Sequence, residues 1–376
     1  MKTGGLVAQK ISEGKASLWV PKASFTDPHH CMVFYNPVME LSRSLSSAAF
    51  YALSKDMPAN PKVLDGLCST GARGVRYYLE GKKCRVTFND ANPQAIAYAK
   101  KNAKENKLAG AAFSTKNFYE EAAVANDFDF VELDPFGTPT IFLDSAVRAC
   151  AKESILSVTA TDLANLCGAR PKPCIREYDA VPTRGYYCHE TALRILIGRV
   201  ARTCALHGRA FVPKVSYYLG HHAKTIGTVH TSALESDEMV RSIGMLGFCE
   251  KCSAFTERKA ACRKCGEKIS LYGPMWLGKI GDGSMLKAAK EKAEKNKFEK
   301  AAAILETILA ENDFAPGYID IHELCSKARK PVTAKTDDLL SELRKAGYKA
   351  ERTHFAPTGI KTDAEPAVVL GFSSKN

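Results

Sequence analysis

The sequence lacks the features of a membrane or secreted protein. No run of about 18 consecutive apolar residues occurs, and a membrane-spanning helix needs roughly that length. Residues 1–14 are polar and of mixed charge, without the apolar segment of a secretory signal. We therefore expect no membrane span and a cytoplasmic location. With 376 residues the chain exceeds the usual length of one domain, which predicts two or three structural units.

Negative charge is also scarce. Asp and Glu number 41 against 53 Lys and Arg, which gives a formal net charge of +12. A basic excess of this size suits a polyanionic partner such as nucleic acid, although a basic surface can also serve solubility alone. Hydrophobic residues make up 45% of the chain, enough for a large buried core. Nothing in the sequence predicts an obligatory protein partner, and a monomer is expected.

The thirteen cysteines do not fit a disulfide framework, because their number is odd and the chain carries no secretory signal. Four of them form two C-x-x-C pairs, Cys249 with Cys252 and Cys262 with Cys265. Four thiolates at this spacing can close a tetrahedron around zinc and leave no coordination position open. The spacing therefore predicts a structural zinc site in a charged insert at 247–274. Redox-active cysteines are the alternative.

Strand-like and helix-like segments alternate through the first half of the chain, which predicts an α/β fold with a parallel sheet and helices on both faces. Expected strands lie at 62–67, 84–90, 112–117, 128–134 and 154–161, and expected helices at 71–80, 93–107 and 138–151. Segments 211–219 and 225–231 are expected to close the sheet as an antiparallel pair. Further helices are expected over 191–205 and 286–311. Ligands of such folds bind at the carboxyl ends of the strands.

The first strand runs into a loop that suits a nucleotide-like ligand. Asp65 is followed by Gly66, Gly71 and Gly74, which let the backbone approach a ligand closely. Asp90, at the end of the second strand, can accept hydrogen bonds from ribose hydroxyls. The G-x-G-x-x-G pattern of dinucleotide sites is absent, which favours S-adenosylmethionine, a ligand without phosphates. A strand-to-helix turn with no ligand is the alternative.

The fourth strand ends in Asp134-Pro135-Phe136-Gly137. A carboxylate here can hydrogen-bond an exocyclic amine and later receive its proton, and an aromatic ring can stack on a base for about 1–3 kcal/mol. The motif therefore predicts methylation of a base amine. A tight turn capped by Asp134 is the alternative interpretation.

Together these pieces resemble the tRNA (guanine-26-N2)-dimethyltransferase family in its archaeal form. The matching segments lie at 33–40, 65–76, 89–90 and 133–138, at the two cysteine pairs, and at 352–355 and 359–364, and the resemblance covers nearly the whole chain. It implies a Rossmann-like S-adenosylmethionine methyltransferase domain with a zinc-binding insert and a smaller α+β C-terminal domain. It also implies methyl transfer to the 2-amino group of guanine 26 in tRNA, with mono- and dimethylation both left open.

The resemblance carries expected roles for individual residues. The cofactor-binding residues are Arg43, Asp65, Arg73, Asp90, Asn117 and Phe118, and the catalytic residues are Asp134, Phe136 and Phe34. Two positions depart from the family: Ser42-Arg43-Ser44 stands where Asn-Arg-Asp is usual, and Asn117 stands where an acid is common. The two Phe could instead be core residues, and the two Arg solvated helix charges.

We expect two domains, a catalytic one over 1–240 and a C-terminal one over 241–376. The second would hold the cysteine insert and a basic tRNA-binding unit, in which helices at 319–329 and 336–346 precede a hairpin, as in winged-helix folds. The adjacent pairs His29-His30 and His221-His222 are expected in loops or facing phosphates. Cys188-His189 is not expected to form a nucleophilic site, because neighbouring helical residues point apart.

We hypothesise that guanine 26 turns out of the tRNA stack into a slot between Phe34 and Phe136, where Asp134 accepts from its 2-amino group. One alternative is an adenine 6-amino methyltransferase acting on nucleic acid, for which a second proline would be expected after Asp134. Another is a non-catalytic zinc-containing tRNA-binding protein, which would need neither Asp134 nor Asp90.

Overall fold

The computed structural model describes residues 7–27, 31–124, 127–257 and 261–374. The strands in this part of the chain are β1 (Ala8–Glu13), β2 (Ala16–Pro21), β3 (Lys62–Asp65), β4 (Arg85–Asn89), β5 (Ala112–Ser114), β6 (Phe128–Leu133), β7 (Cys150–Ala160), β8 (Arg209–Leu219), β9 (His222–Thr231), β10 (Ile243–Phe248), β11 (Phe255–Glu257), β12 (Ser270–Trp276), β13 (Ile319–Asp320), β14 (Ala350–Arg352) and β15 (Gly359–Thr362). The α-helices are α1 (Glu40–Leu53), α2 (Ala72–Glu80), α3 (Pro93–Glu105), α4 (Phe118–Val124), α5 (Leu143–Ala149), α6 (Leu163–Leu166), α7 (Pro171–Tyr178), α8 (Cys188–Leu206), α9 (Ala233–Arg241), α10 (Gly283–Lys295), α11 (Glu299–Glu311), α12 (Ile321–Lys327), α13 (Thr336–Lys345) and α14 (Pro366–Ser373).

A seven-stranded sheet in the order β5-β4-β3-β6-β7-β9-β8 forms the centre of the molecule. The first five strands in this order are parallel, and β9 pairs antiparallel with both β7 and β8. The predicted parallel sheet and its closing antiparallel pair are thus confirmed. The helix expected over 138–151 is shorter, because α5 ends at Ala149 and β7 begins at Cys150.

Both faces of this sheet are buried, because successive side chains of its strands enter different cores. Val63 and Phe130 pack in one hydrophobic cluster with α1, α2 and α3. Their neighbours Leu64 and Val131 pack in the other, with α4, α5 and α8. Continuous apolar strands are what a parallel sheet covered by helices on both sides requires.

The single helix expected over 286–311 is wrong. The chain instead forms α10 and α11, separated by a turn in which Lys297 has a φ of 60°. Leu286, Ala289 and Leu305 are fully buried in the cluster that contains α1. The apolar faces of this helical hairpin therefore belong to the core of the central sheet, while most of its Lys and Glu side chains are exposed or half-buried. The domain boundary at 240 stays a prediction.

The C-terminal residues form the expected two helices, α12 and α13, followed by the β14–β15 hairpin, with β13 completing a three-stranded sheet. A separate cluster that includes Ile321, Leu339 and Ile360 forms their core. A buried ion pair ties this unit to the sheet, since Lys361 Nζ lies 2.7 Å from Glu190 Oε1 of α8. Among the described residues, no helix is long and apolar enough to cross a membrane.

Candidate active site

Loops from four parallel strands meet at one edge of the sheet. The loop after β3 is held tightly: Gly71 begins α2 with a φ of 74°, and a Cβ on Gly66 would lie 2.4 Å from the ring of Phe118. Only glycine fits both requirements, which explains the glycines seen in the sequence. The same loop contacts the segment before α1, because the Ser69 hydroxyl donates to the Phe34 carbonyl oxygen.

Asp90 follows β4 at this edge. Its Oδ2 accepts from the Ser69 backbone N–H at 2.9 Å, and its Oδ1 accepts from the Asn92 N–H at 2.9 Å. Each carboxylate oxygen has a second lone pair, and the side chain is half-buried. The geometry thus fixes an oriented carboxylate beside the glycine loop, as binding of a ribose requires.

The Asp134–Gly137 motif forms a turn pinned to the end of β7. Gly137 has a φ of 79°, and its N–H donates to Thr161 Oγ1 at 2.7 Å. The Thr161 N–H returns a hydrogen bond to the Gly137 carbonyl oxygen at 3.0 Å. A glycine is needed here for its left-handed backbone, and the two bonds keep the turn at the carboxyl edge of the sheet.

Arg73 of α2 holds the Asp134 carboxylate. Its Nε and Nη2 lie 2.7 and 2.6 Å from Asp134 Oδ2, and its Nη1 donates to Ser46 Oγ at 3.1 Å. Burial raises the pKa of Asp134, but Arg73, Lys224 and His222 outweigh it and hold that pKa at about 2. Both contacts from Arg73 use Oδ2, and among the described residues no hydrogen bond reaches Oδ1. The free oxygen is available to a base.

A buried charge network lies beneath Asp134. Glu132 and Lys224 are both fully buried and form an ion pair, and Tyr77 donates to the other Glu132 oxygen at 2.6 Å. Lys224 Nζ also donates to Thr159 Oγ1 at 2.8 Å. Glu132 shares a sheet face with Asp134, two residues further on, so this network forms the floor of the site.

Phe34 and Phe136 do come together, as predicted, but they leave no slot. Their ring centroids are 4.4 Å apart with an interplanar angle of 86°, an edge-to-face contact. A stacked base needs roughly 7 Å between two rings, about twice the van der Waals contact distance of carbon atoms. Phe136 is 67% exposed, so the alternative of a core residue is wrong for it. The rings must part before a base can enter between them.

Arg43 lies in a buried ion cluster, and its Nη2 also donates to the Asn36 carbonyl oxygen at 3.1 Å. Its Nε and Nη2 donate to Glu13 Oε1 and Oε2 at 2.6 and 2.5 Å, and Arg76 Nη1 reaches the same Glu13 at 2.8 Å. Arg43 and Arg73 are 6% and 7% exposed, so the alternative of solvated helix charges is wrong for both. Glu13 could not be predicted from the sequence, because no motif marks it.

The remaining expected cofactor residues are Asp65, Phe118 and Asn117. Asp65 is buried and accepts from the Gly74 N–H at 3.0 Å in the first turn of α2. Burial, reinforced by Glu132, raises the pKa of Asp65 to about 7. Phe118 is buried under Gly66, and exposed Asn117 caps α4 by accepting from the Glu120 N–H at 2.9 Å.

The expectation that His222 lies in a loop or faces phosphate is wrong; the pair His29-His30 lies outside the described residues. His222 begins β9, is 2% exposed, and has no hydrogen-bond partner on either ring nitrogen within the described chain. Strand alternation places it on the face of Lys224, level with the end of β7 and close to Asp134. Burial lowers its pKa to about 3, so the imidazole is neutral.

The four clustered cysteines have the geometry of a metal site. Their sulfur atoms all lie within 4.8 Å of one another, with Cys249 to Cys265 at 3.4 Å and Cys252 to Cys262 at 3.5 Å. Sulfurs around a tetrahedral zinc are about 3.8 Å apart, whereas a disulfide needs about 2.05 Å. The four thiols can therefore hold a thiophilic metal ion.

The two cysteine pairs fold alike. Ser253 N–H bonds the Cys249 carbonyl oxygen at 2.9 Å, and Gly266 N–H bonds the Cys262 carbonyl oxygen at 2.9 Å. Both Ser253 and Gly266 have a positive φ. The N–H groups of Lys264 and Cys265 point at the Cys262 sulfur and lower the pKa of that thiol to about 6. Each pair thus forms one knuckle of the predicted centre.

The chain is similar to a group of tRNA-modifying enzymes over nearly its whole length. A model of the family described as N2,N2-dimethylguanosine tRNA methyltransferase matches residues 14–372. The tRNA (guanine(26)-N(2))-dimethyltransferase of Methanothermobacter thermautotrophicus is 34% identical to this chain, and the alignment covers 94% of this chain and 95% of that protein. That of Pyrococcus furiosus is 35% identical and covers 98% of each chain. The solved complex of Trm1 from Pyrococcus horikoshii with S-adenosyl-L-methionine matches with a TM-score of 0.86 and 32% identity, over 98% of this chain and 100% of that one.

Proposed function

The chain belongs to the N2,N2-dimethylguanosine tRNA methyltransferase family, and on that basis we propose that it transfers methyl groups from S-adenosylmethionine to the 2-amino group of guanine 26 in tRNA. The observation that carries this proposal is the Asp134 carboxylate, fixed through Oδ2 by Arg73 at the edge of the sheet where Phe34, Phe136 and Asp90 also lie. A dead core that only binds tRNA would have no need of such an arrangement.

The donor site fits residues around the glycine loop. Asp90 would accept from the ribose hydroxyls, since both of its oxygens are oriented by backbone N–H groups and keep a lone pair free. Phe118 and Asn117 would lie along the adenine, and Asp65 would fix the loop through α2. When bound, S-adenosylmethionine supplies an electrophilic methyl group. The protein's part is to position the base and to receive a proton.

Asp134 acts on the reacting amine. Its free Oδ1 accepts a hydrogen bond from the guanine 2-amino group and turns the nitrogen lone pair toward the methyl group. Methyl transfer leaves the amine nitrogen with a positive charge and both of its protons, which makes it a much stronger acid than a carboxylic acid. One of these protons can therefore pass to Asp134 even though the pKa of this carboxyl is about 2. Neutral His222, close to Asp134, is a second candidate contact to the base.

The aromatic pair controls entry of the base. Phe34 and Phe136 touch edge to face, and their separation would let the guanine stack between them. Stacking returns about 1–3 kcal/mol, comparable with the cost of turning a base out of its stack. The exposed Phe136 is the ring that is free to move first.

The proposal is tested with tRNA transcripts that differ at position 26. With radiolabelled S-adenosylmethionine, a transcript carrying guanine 26 should take up label, while transcripts with adenine or inosine there should not, because neither has a 2-amino group. Equal labelling of the adenine transcript would instead support the adenine methyltransferase, and no labelling of any transcript would support a non-catalytic binding protein.

Asp90→Ala is expected to weaken the donor much more than the tRNA, since its carboxylate would hold two ribose hydroxyls. Loss of hydrogen bonds to a charged group costs about 1.5–3 kcal/mol each, so the dissociation constant for S-adenosylmethionine should rise at least about tenfold. Isothermal titration calorimetry measures it, with Asp90→Asn as the shape-matched control. An unchanged donor affinity for both variants would remove Asp90 from the site.

We propose that the four clustered thiols hold zinc, which replaces a hydrophobic core in this charged insert. Cys249→Ser is then expected to lose zinc and to lower the melting temperature by roughly 5–10 °C without changing the chemical step. Zinc analysis and calorimetry check this, with Cys31→Ser as the control for loss of a cysteine outside the cluster. The proposal fails if Cys249→Ser retains the zinc and melting temperature of the control.

The C-terminal unit is proposed to bind tRNA phosphates, but with fewer charges than the sequence predicts. Of its basic residues, Arg344, Arg352 and Lys327 each form an ion pair with an acidic neighbour. Arg329, Lys330 and Lys349 are exposed, and no ion pair is found for them within the described residues. Deleting 319–376 would also remove Lys361, the ion-pair partner of buried Glu190, and would thereby disturb α8. Point variants are therefore the cleaner test.

Replacing Arg329, Lys330 and Lys349 together with Ala is expected to weaken tRNA binding and to flatten its dependence on salt. Each lost phosphate contact should lower the slope of log K against log salt by about 1. Lys345→Ala is the control, because Lys345 is paired with Glu342. Binding measured between 50 and 200 mM salt gives the slope, where the salt range is about that over which counterion release is pronounced. An unchanged slope in the triple variant would place the phosphate contacts elsewhere.

A further inference from the structure

Outside both sites described above, two cysteines and a histidine meet where α6, α8 and the C-terminal unit come together. The sulfur atoms of Cys167 and Cys188 and a ring nitrogen of His189 all lie within 4.8 Å of one another. All three side chains are half-buried. We refer to them as the CCH cluster. Neither the methyl transfer nor the four-cysteine centre uses these residues.

Cys188 and His189, which were not expected to act together, do lie close to one another. Cys188 is the first residue of α8, where the helix is just beginning, and Cys167 closes α6 on the opposite side. The Cys167 thiol contacts the Cys188 carbonyl oxygen at 3.8 Å. Cys167 therefore comes from a different segment than Cys188 and His189, and the geometry of α8 alone does not show that it lies beside them.

The orientation of His189 is that of a metal ligand. Its Nδ1 lies 3.0 Å from the Phe355 carbonyl oxygen, which can only accept, so Nδ1 carries the proton and Nε2 keeps its lone pair. Metal-binding histidines commonly donate their second ring N–H to a carbonyl or carboxylate in this way. The ring is also stacked on Tyr218, with centroids 4.3 Å apart and an interplanar angle of 18°.

Two contacts hold the turn that carries Cys167. Tyr218, whose ring stacks on His189, also lies close to Cys167. Gly168, next in the chain, has a φ of 76°, and a Cβ there would lie 2.6 Å from the Thr183 backbone. This close approach of two backbones fixes Cys167 in place. Backbone packing thus fixes the position of Cys167, and a hydrogen bond fixes that of His189.

From this geometry we propose that the CCH cluster is a second metal site, which binds Zn²⁺ through Cys167, Cys188 and His189 with water in the fourth position. Two thiolates and one imidazole are a donor set that zinc accepts readily. The metal would join the turn after α6 to the start of α8 and, through His189 and the Phe355 carbonyl, to the C-terminal unit. It would lie close to the edge of the sheet that carries the Asp134 turn.

Metal analysis of the full chain, purified without chelators under reducing conditions, tests the proposal. The wild-type protein should hold two zinc ions per chain, Cys167→Ser/Cys188→Ser one, and Cys249→Ser/Cys252→Ser one. Cys174→Ser, which removes a buried thiol of α7 outside the cluster, should keep both. One zinc per chain in the wild type that the Cys167→Ser/Cys188→Ser variant retains, or two in that variant, would overturn the proposal.

Cobalt substitution keeps the test decisive if a variant fails to fold. Wild-type apoprotein titrated with Co²⁺ should take up two equivalents with visible bands of tetrahedral coordination, and thiolate charge-transfer absorption should continue to grow after the four-cysteine centre is filled. Saturation at one equivalent would contradict the second site. Peptide mass mapping that finds a Cys167–Cys188 disulfide in the metal-free cluster would overturn it in favour of a redox pair.

Discussion

Asp134→Ala is expected to slow methyl transfer by about 10²–10⁴-fold, the range that a positioned proton acceptor contributes. The variant loses the oxygen that would accept from the 2-amino group, while the exposed cations proposed to bind phosphates are untouched. The affinity for tRNA should therefore change less than about twofold. Single-turnover transfer with saturating donor gives the rate, and filter binding gives the affinity.

The buried Arg73 requires a matched control in this experiment, because Asp134→Ala leaves its guanidinium without its main partner. Asp134→Asn keeps the shape and one hydrogen-bond acceptor but cannot take up a proton. If both variants fold with wild-type melting temperatures and only the rate falls, the carboxylate acts in the reaction. A rate near that of the wild type in either variant would contradict its assigned role.

The pH dependence follows from the same contact. A depressed pKa means that the folded protein keeps Asp134 ionised at every pH well above its pKa of about 2. Protonation of this carboxyl should therefore produce no acid limb in the single-turnover rate between about pH 5 and 8. The stability contributed by its pairing with Arg73 is present above the ordinary pKa of Asp and is lost as the pH falls toward 2.

Glu132→Ala is expected to cost about 3–5 kcal/mol of unfolding free energy, the typical penalty for leaving a buried charge without its partner. Lys224 is fully buried, and Glu132 is its counter-ion. Removing that carboxylate also leaves the Tyr77 hydroxyl without its acceptor. Urea unfolding followed by circular dichroism measures the difference.

The control for this second prediction is an exposed pair. Glu294→Ala breaks an i,i+4 contact with Lys290 in which the Glu side chain is 52% exposed, and it should cost no more than about 0.5 kcal/mol. Comparable losses in the two variants would mean that burial does not set the strength of the Glu132 network. A shift in the pH dependence of the methyl-transfer rate in Glu132→Gln would further tie that network to Asp134 above it.

The sequence allowed the sheet and the edge that carries the site to be predicted, because both depend on local patterns. Alternating strands and helices predict a parallel sheet, and the carboxyl ends of its strands then collect Asp90 and Asp134 on one side. The four-cysteine cluster could also be predicted from the sequence, since the spacing of its cysteines is that of two metal-binding knuckles. Each of these predictions can be made without knowing which distant residue a side chain contacts in the folded protein.

Pairings between distant segments could not be predicted in this way. Glu132 meets Lys224 only because β9 lies beside β7, two strands away from β6, and no motif marks either residue. Glu13, in the N-terminal hairpin, likewise becomes the partner of Arg43 and Arg76 through packing alone. The helical pattern over 286–311 was continuous in sequence, but the turn at Lys297 splits it so that both halves can pack on α1.

For Phe34 and Phe136, the sequence allowed the pairing to be predicted but not its geometry. The two rings were expected to act together, and they do touch, but the slot between them is shut. Only the three-dimensional arrangement shows that base entry needs a movement of the rings. The same holds for His222, whose burial beside Asp134 follows from the register of β9 and not from its neighbour His221.

Mass spectrometry of nuclease-digested tRNA tests the central claim most directly. An unmodified tRNA transcript with guanine 26, incubated with the protein and S-adenosylmethionine, should yield N2-methylguanosine or N2,N2-dimethylguanosine in the fragment that contains position 26, and the Asp134→Ala protein should yield far less of either in the same time. Methyl groups on the 6-amino group of adenine, or no methylated nucleoside from a folded protein that binds the donor, would contradict the account.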